Sequence, residues 1–491
     1  MNDQGIKVSR ERLEAGPGEI YARTVLLPVF EFKRQHLYLA LVRAHKAWVA
    51  MLETTGNVTS VDAAKLLATL DDLGREGHTA LGEFDPNLEY FYSHMEHQLN
   101  LRLGEDVAGN INIARTRPEP LARMLIRERL LTVIGLVIAL RKTLIRLAAR
   151  EASTVMPGWT HFQHAQAATV GHYFLAIQDV LQRDTVRLDH AYATVNRCTL
   201  GCGALAGTSY EIDREHVARA LGFDGLIENS LDCVAGADHY TETIAALTGM
   251  MINLSRFCDD LYTLHTWEFR FLEIGDDYSG SSSMMPQKKN PYPFEYVRAR
   301  AGHIAGLMSS AHTILHNTNF QDIKDVEEEA LYPVFEALTQ TERALELLDG
   351  TLSTVRFDAE RMLQVTTEGF STATELAAVI HRTSGLSYRT SHRIVGDVVR
   401  RAVSRKLAAV EVTEVLVNEA AVKVIGRPLE LITAQIKGAL DPTAFVNAHV
   451  SRGGTAPVEV HRMIEERSSR ITTEEKELAT RVDGIAERDK V

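Results

Sequence analysis

Apolar residues that step by four and three along very long stretches limit what this chain can become. From Ile126 they fall at Leu130, Val133, Val137, Leu140, Leu144 and Leu147, which is the seam of a packed helix, because 3.6 residues per turn bring such positions back to one face. The pattern recurs at Leu247, Met250, Leu254, Phe257, Leu261 and Leu264, and again at Val297, Ala301, Ile304, Met308 and Ala311. Each run covers about 25 to 30 residues, so each helix would be roughly 40 Å long. Two more helices are expected, from about Ala165 to Asn196 and from about Glu328 to Gly350. Strand signals are scarce, and no dinucleotide-type glycine fingerprint or short internal repeat is present. The expected fold is all-α, with a long-helix bundle at its centre.

Breaks in the pattern suggest the domains. Gly56, Gly74, "GEFDPN" (82–87) and "GED" (104–106) punctuate helical segments in the first hundred residues, and a second break comes near "TVRFDAERM" (354–362). This predicts an N-terminal helical domain at 1–110, the bundle at 111–360 and a C-terminal helical domain at 361–491. The charged tail from Glu465 reads as a solvated helix or a fraying end.

At 491 residues and 45% apolar content the chain can bury a sizeable core, and a formal net charge of −12 argues against a basic nucleic-acid-binding surface. Small anionic partners remain compatible with local basic patches. The N-terminus lacks the apolar run of a signal peptide. The longest apolar stretch, "LLTVIGLVIAL" (130–140), falls short of the roughly 20 residues a membrane span needs. A soluble cytoplasmic protein with no membrane or nucleic-acid partner is expected. Four cysteines in so long a chain make no disulfide framework and read as reduced, mostly buried thiols. Cys198 and Cys202 would share a helical face, without a Cys/His pair nearby to complete a zinc set.

The stretch "YSGSSSMMPQKKNPYPFEYVRARAG" (278–302) gathers hydroxyl, amide and ammonium groups before a helix. Pro291 suits a first turn and Asn290 a cap, so Ser281 to Lys289 would be a loop aimed at a helix N-terminus. Such an end, with Lys288 or Lys289 beside it, suits a carboxylate or an oxyanion. Taken alone, the stretch could equally be a flexible polar linker.

Ser282, Ser283, Met285, Pro286, Lys288, Asn290 and Glu295 resemble the signature loop of the aspartase/fumarase superfamily, with Ser281 where that family has Gly. "GEDVAGNINIARTRPEP" (104–120) and "MPGWTHFQHAQAATVGHYFLA" (156–176) resemble its argininosuccinate lyase branch, as do "GCGALAGTSYEIDRE" (201–215), "ENSLD" (228–232) and "ATELAAVIHRTSGLSYRTSHRIVG" (373–396). The resemblance implies an aspartase/fumarase-like fold of three helical domains and a homotetramer whose active sites are each shared by three subunits. It also implies reversible β-elimination that releases fumarate from a small anionic substrate, an N-substituted aspartate, without a cofactor.

Carried over residue by residue, the resemblance makes Ser282 the general base, with Ser281 as second choice. His161 would stand beside the departing group, with Glu295 orienting or polarising it. Thr160 and Thr116 would hydrogen-bond a carboxylate, Arg115 and Arg117 would supply forked donors, and Gln166 would contact substrate. Asn112, Ser283, Met285, Lys288, Asn290 and Lys324 complete the substrate-binding set. A serine hydroxyl is a weak base, so neighbouring N–H groups and Lys288 would have to stabilise its oxyanion. The pair His161 and His164 permits a metal by spacing, but no third ligand joins it, and none is expected.

Departures from the branch lie where the amine would bind. Arg117-Pro118-Glu119 stands for its Arg-Asn-Asp, Gly236-Ala237-Asp238 stands for its Asp-Arg-Asp, and "HNTNFQDIKDVEEE" (316–329) keeps only Gln321 and Lys324 at their spacing. The expectation is therefore a carbon–nitrogen lyase acting on an aminopolycarboxylate, similar to the ethylenediamine-N,N'-disuccinate lyases. Argininosuccinate is the alternative substrate, adenylosuccinate-type cleavage is a more distant one, and a non-catalytic crystallin-like protein is the alternative of a different class.

Overall fold

The computed structural model describes residues 15–116 and 120–488. Helices α1 (Leu27–Thr54), α2 (Ser60–Glu76) and α3 (Phe91–Leu103) lead into α4 (Leu121–Arg150). A hairpin of β1 (Val155–Thr160) and β2 (Gln163–Thr169) follows, then α5 (Val170–Val195) and α6 (Asp238–His265). The short strand β3 (Leu272–Glu273) precedes α7 (Tyr292–His316) and α8 (Leu331–Thr354), and β4 (Arg356–Phe357) pairs with β3. Six helices complete the chain before the last: α9 (Ala359–Glu368), α10 (Ala373–Ser384), α11 (Tyr388–Ser404), α12 (Glu414–Ile425), α13 (Thr433–Leu440) and α14 (Pro442–Ala448). The long α15 (Pro457–Arg488) ends the described chain.

The seam residues do what their spacing predicts. Leu130, Val133, Val137, Leu140, Leu144 and Leu147 are buried on α4, and Leu247, Met250, Leu254, Phe257, Leu261 and Leu264 on α6. Five long helices pack as a ring, α4 on α5, α5 on α6, α6 on α7, α7 on α8 and α8 back on α4. Helices α1 to α3 share the continuous core of this ring, while Leu376 to Leu440 enclose a separate one.

Three expectations need correction. Residues 163–169 form a strand, so the helix expected from Ala165 begins at Val170. Cys198 and Cys202 lie outside any helix, in the turns after α5. The tail from Glu465 is helical but docked on α4 and α5. Its few apolar contacts, Ile471 and Ile485 among them, are supplemented by ion pairs that a hydrophobic pattern does not register.

One of these pairs is largely buried. The fully buried Arg141 donates to Glu474 at 2.5 Å and to Thr185 at 3.2 Å. Glu474→Ala would strand a buried guanidinium, and the expected loss of stability is about 3–5 kcal/mol, whereas Arg141→Met with Glu474→Leu should recover most of it. Urea unfolding of the three proteins checks this; a loss under about 1 kcal/mol in Glu474→Ala would show that the pair does not hold α15.

Candidate active site

The antiparallel course of the ring gives the bundle two ends. At the first, α4 and α8 finish and α5 and α7 begin: Arg150 donates to the Val355 carbonyl at 2.8 Å, and the Gly275 N–H to Thr354 Oγ1 at 2.9 Å. At the second, α4 and α6 begin where α5 finishes: Arg123 donates to the Thr194 carbonyl at 2.9 Å and lies 3.6 Å from Asp238.

The first end carries the His161 hairpin and the Ser282 loop. Thr160 pairs with Gln163, so His161 and Phe162 alone make the turn, with φ of 56° and 57°. Positive φ at both central residues is the twist-compatible two-residue turn, normally given to Asn and Gly. Here it lifts His161 and an 84% exposed Phe162 off the body. The hairpin is anchored by Trp159, 6.1 Å from Phe271 between ring centroids, and by Gln166, which donates to Thr374 Oγ1 at 3.3 Å.

Residues 281–289 form a loop strapped at its neck. Gly280 and Asn290 exchange backbone hydrogen bonds of 2.8 and 2.9 Å, and the Asn290 amide adds one to the Gly280 carbonyl at 3.2 Å. Asn290 is therefore the strap, not the expected cap, and α7 has no side-chain cap. Within the loop Ser282 Oγ accepts from the N–H groups of Met285 at 3.0 Å and Met284 at 3.3 Å. Lys289 is engaged by Glu273 at 2.6 Å and Asp276 at 2.7 Å. Lys288 is exposed, and among the described residues no side-chain hydrogen bond or ion pair engages it. Ser281, Ser283 and Met285 are exposed on the same loop, and Glu295 is exposed on the first turn of α7.

The remaining candidates gather at the second end, around a cleft of about 680 Å³ lined by Thr116 and Lys324 among others. Tyr92, also on its wall, donates to Asn112 Oδ1 at 2.7 Å, and the Arg115 guanidinium lies 5.5 Å from the Tyr92 ring centroid. Arg115 also meets the buried His45 at 2.5 Å. Arg117 lies outside the described residues. Lys324 contacts Glu327 at 2.5 Å and Glu328 at 3.2 Å, and Lys33 reaches Glu328 at 2.9 Å. Burial alone would lower the Lys324 ammonium, but these carboxylates outweigh it and raise its pKa. Burial would raise the Glu328 carboxyl, but the two lysines outweigh it and hold it below its usual range.

The cleft also uses residues the sequence did not single out: Lys33, Arg123, His239 and Tyr240. No motif marks them. Lys33 meets Glu328 across 295 positions of chain, so only the fold reveals the contact. His239 is buried; burial first and the Arg123 charge second lower its pKa to about 3. Its Nδ1 is 3.9 Å from Asp238, too far for a hydrogen bond.

Unfolded histidine takes up its proton near 6.5, so between there and about 3 the unfolded chain binds the extra proton. The contribution of neutral His239 is complete above that window and is lost as pH falls through it, by about 2 kcal/mol between pH 7 and pH 5. Urea unfolding of wild type and His239→Gln at the two pH values should show that much less pH dependence in the variant; equal dependence would contradict the assignment.

Ser282 and Lys324 flank opposite ends of α7, whose 25 residues span about 40 Å. One chain therefore brings the candidates together in two groups, not one. Among the described residues no helix is long and apolar enough to cross a membrane.

The chain is similar to known proteins along most of its length. Residues 31–306 match the family model described as lyase, and residues 370–447 match the argininosuccinate lyase C-terminal model. The chain is 34% identical to argininosuccinate lyase 1 of Shouchella clausii, covering 95% of this chain and 94% of that protein. It is 36% identical to the argininosuccinate lyase of Methanocaldococcus jannaschii, covering 89% and 90%. Among solved structures, an EDDS lyase variant with bound fumarate superposes with a TM-score of 0.85 at 30% identity, covering 97% of this chain and 95% of that one. With its helical ring, its Ser282 loop and these relatives, the chain belongs to the aspartase/fumarase superfamily of lyases, on the argininosuccinate lyase branch.

Proposed function

We propose that this enzyme is a carbon–nitrogen lyase that releases fumarate from an N-substituted aspartate, with argininosuccinate as the substrate best supported. This revises the aminopolycarboxylate expected from the sequence. The observation that carries the choice is the charge of the cleft. Among the described residues, Glu89, Asp322, Glu327, Glu328 and Glu329 line it against Lys33, Arg123 and Lys324. A net acidic wall suits the cationic guanidinium of an arginine moiety and opposes a fragment bearing several carboxylates. The curated relatives named above carry the argininosuccinate lyase name as well.

In this reading Ser282 removes the proton beside the substrate carboxylate. The two N–H groups already directed at its oxygen, with Lys288, would stabilise the alkoxide it must become. Thr160, Gln166, Ser283 and Asn290 would hold the succinyl part, while His161 and Glu295 would assist departure of the amine. Thr116, Asn112, Arg115 and Lys324 would face the amine part. Because the two groups of residues stand a bundle length apart, a site containing both requires more than one chain. Exposed Phe162, Trp267 and Met284 at the first end and Phe320 at the second are apolar surface that neighbouring subunits of a homotetramer would cover.

The second reading, an aminopolycarboxylate of the EDDS type, is favoured by the likeness to EDDS lyase over 97% of the chain. Following fumarate by its absorbance across both substrates separates the two. The expected result is a kcat/KM for argininosuccinate at least about tenfold above that for ethylenediamine-N,N'-disuccinate, equivalent to about 1.4 kcal/mol of transition-state preference. The reverse order would overturn the substrate and keep the chemistry, whereas no fumarate from either would overturn both.

A further inference from the structure

The first turn of α4 opens onto the cleft: Pro120, Leu121, Ala122 and Arg123 all line it. Pro120 holds the N-cap position and offers no side-chain acceptor. The N–H groups of Leu121, Ala122 and Arg123 have no partner within the helix, as in any first turn, and among the described residues no other group accepts from them. The peptide dipoles of a 30-residue helix stand behind them, so this end is positive.

A buried guanidinium with donors to spare belongs to the same turn. Arg123 is 3% exposed. Its Nη1 donates to the Thr194 carbonyl at 2.9 Å, whereas Nη2 lies 3.6 Å from Asp238 Oδ1, too far for a hydrogen bond. Asp238 Oδ1 accepts instead from the His239 N–H at 2.8 Å. Among the described residues, Nε and Nη2 of Arg123 therefore donate to nothing. Burial disfavours the charge of this guanidinium, and an anion brought to it would be felt strongly in so dry a wall. The two lysines of the cleft are already engaged: Lys324 by Glu327 at 2.5 Å and Glu328 at 3.2 Å, Lys33 by Glu328 at 2.9 Å. Of the opposite sign, Asp322 and Glu329 line the cleft and make no ion pair among the described residues.

We propose that Arg123 and the first turn of α4 form a carboxylate subsite, which holds the single carboxylate of an amine whose cationic group falls to the acidic wall at Asp322 and Glu329. A guanidinium fork matches a planar carboxylate with two parallel donors, and the free N–H groups of the helix end add more. The inference rests on the substrate reading above and narrows it. The amine part is zwitterionic, an α-amino acid with a basic side chain, and Arg123 is the residue that reads its carboxylate.

The test follows the consumption of fumarate, by its absorbance, as the full-length protein adds L-arginine or L-argininamide to it. The two amines differ only in the amide that replaces the carboxylate. The wild-type kcat/KM for L-arginine should exceed that for the amide by at least about tenfold, with the difference in KM, because charge-assisted hydrogen bonds are at stake. Arg123→Met should bring that ratio to within about threefold, and Arg123→Lys, which keeps the charge without the fork, should fall between. A wild type that takes the amide as readily would overturn the subsite without need of a variant. An unchanged ratio in Arg123→Met, or in Arg123→Lys should the first not fold, would overturn the role of Arg123. In both of these cases the amine still adds to fumarate, so the lyase reading stands. A wild type that consumes fumarate with neither compound would instead overturn the substrate reading and the subsite with it.

Discussion

Ser282→Ala is expected to lower kcat by a factor on the order of 10² to 10⁴, the range a positioned acid or base contributes, with the oligomer and its unfolding midpoint unchanged. Ser281→Ala should cost much less. The difference follows from the loop: Ser282 Oγ receives two backbone N–H groups, and the exposed Ser281 side chain makes no such bond among the described residues. Those donors strengthen as the oxygen gains charge, so they favour the deprotonated base over the resting hydroxyl. Losing the hydroxyl leaves the N–H groups facing solvent, where water replaces it, so folding should be little affected. Steady-state kinetics on both variants decides the matter. A dead Ser281→Ala beside a nearly normal Ser282→Ala would move the base by one residue.

The second large effect is a recovery. Ser282→Ala and Lys324→Met, each expected to be severely impaired, should regain on the order of a quarter of wild-type activity when unfolded together and refolded as mixed oligomers, if chains assort at random. The two side chains flank opposite ends of a helix about 40 Å long, so a single chain cannot present both to one small substrate. In a mixed assembly some sites would draw an intact Ser282 from one chain and an intact Lys324 from another. Verified mixed oligomers that stay inactive would count against a shared site, because recovery has no route if each site uses one chain alone.

The helices were legible because their seams are long and regular, and burial of Leu130 to Leu147 on α4 follows the four-three rhythm closely. The hairpin was not. Its turn uses His161 and Phe162 where Asn and Gly are the usual signal, and residues 163–169, rich in Ala and Gln, favour helix by propensity until pairing with β1 overrides it. The Ser282 loop was readable as a loop, yet Asn290 was misplaced as a cap because its amide closes the neck instead. The candidate residues could be named one by one, but their separation into two ends could not. That depends on which helices run antiparallel, which the periodicity of one helix does not encode. The cleft was the least legible part, since Lys33, Arg123, His239 and Glu328 come from segments far apart in the chain.

The ring of five helices has an arithmetic of its own. An odd number of passes cannot bring a chain back to the end where it started, so α4 and α8 close the ring side by side and parallel. Everything before the first pass is delivered to one end, and the segment that follows the last pass to the other, before α15 runs back along α4 and α5. The N-terminal segment accordingly contributes Lys33 and Tyr90 to the cleft, while the C-terminal segment contributes Thr374 beneath the His161 hairpin. Parity thus separates the segment before α4 from the segment just after α8 by the full length of the bundle. On the proposed function, substitutions before α4 would reshape what the cleft accepts while leaving the Ser282 loop untouched, so the clientele would change without rebuilding the chemistry.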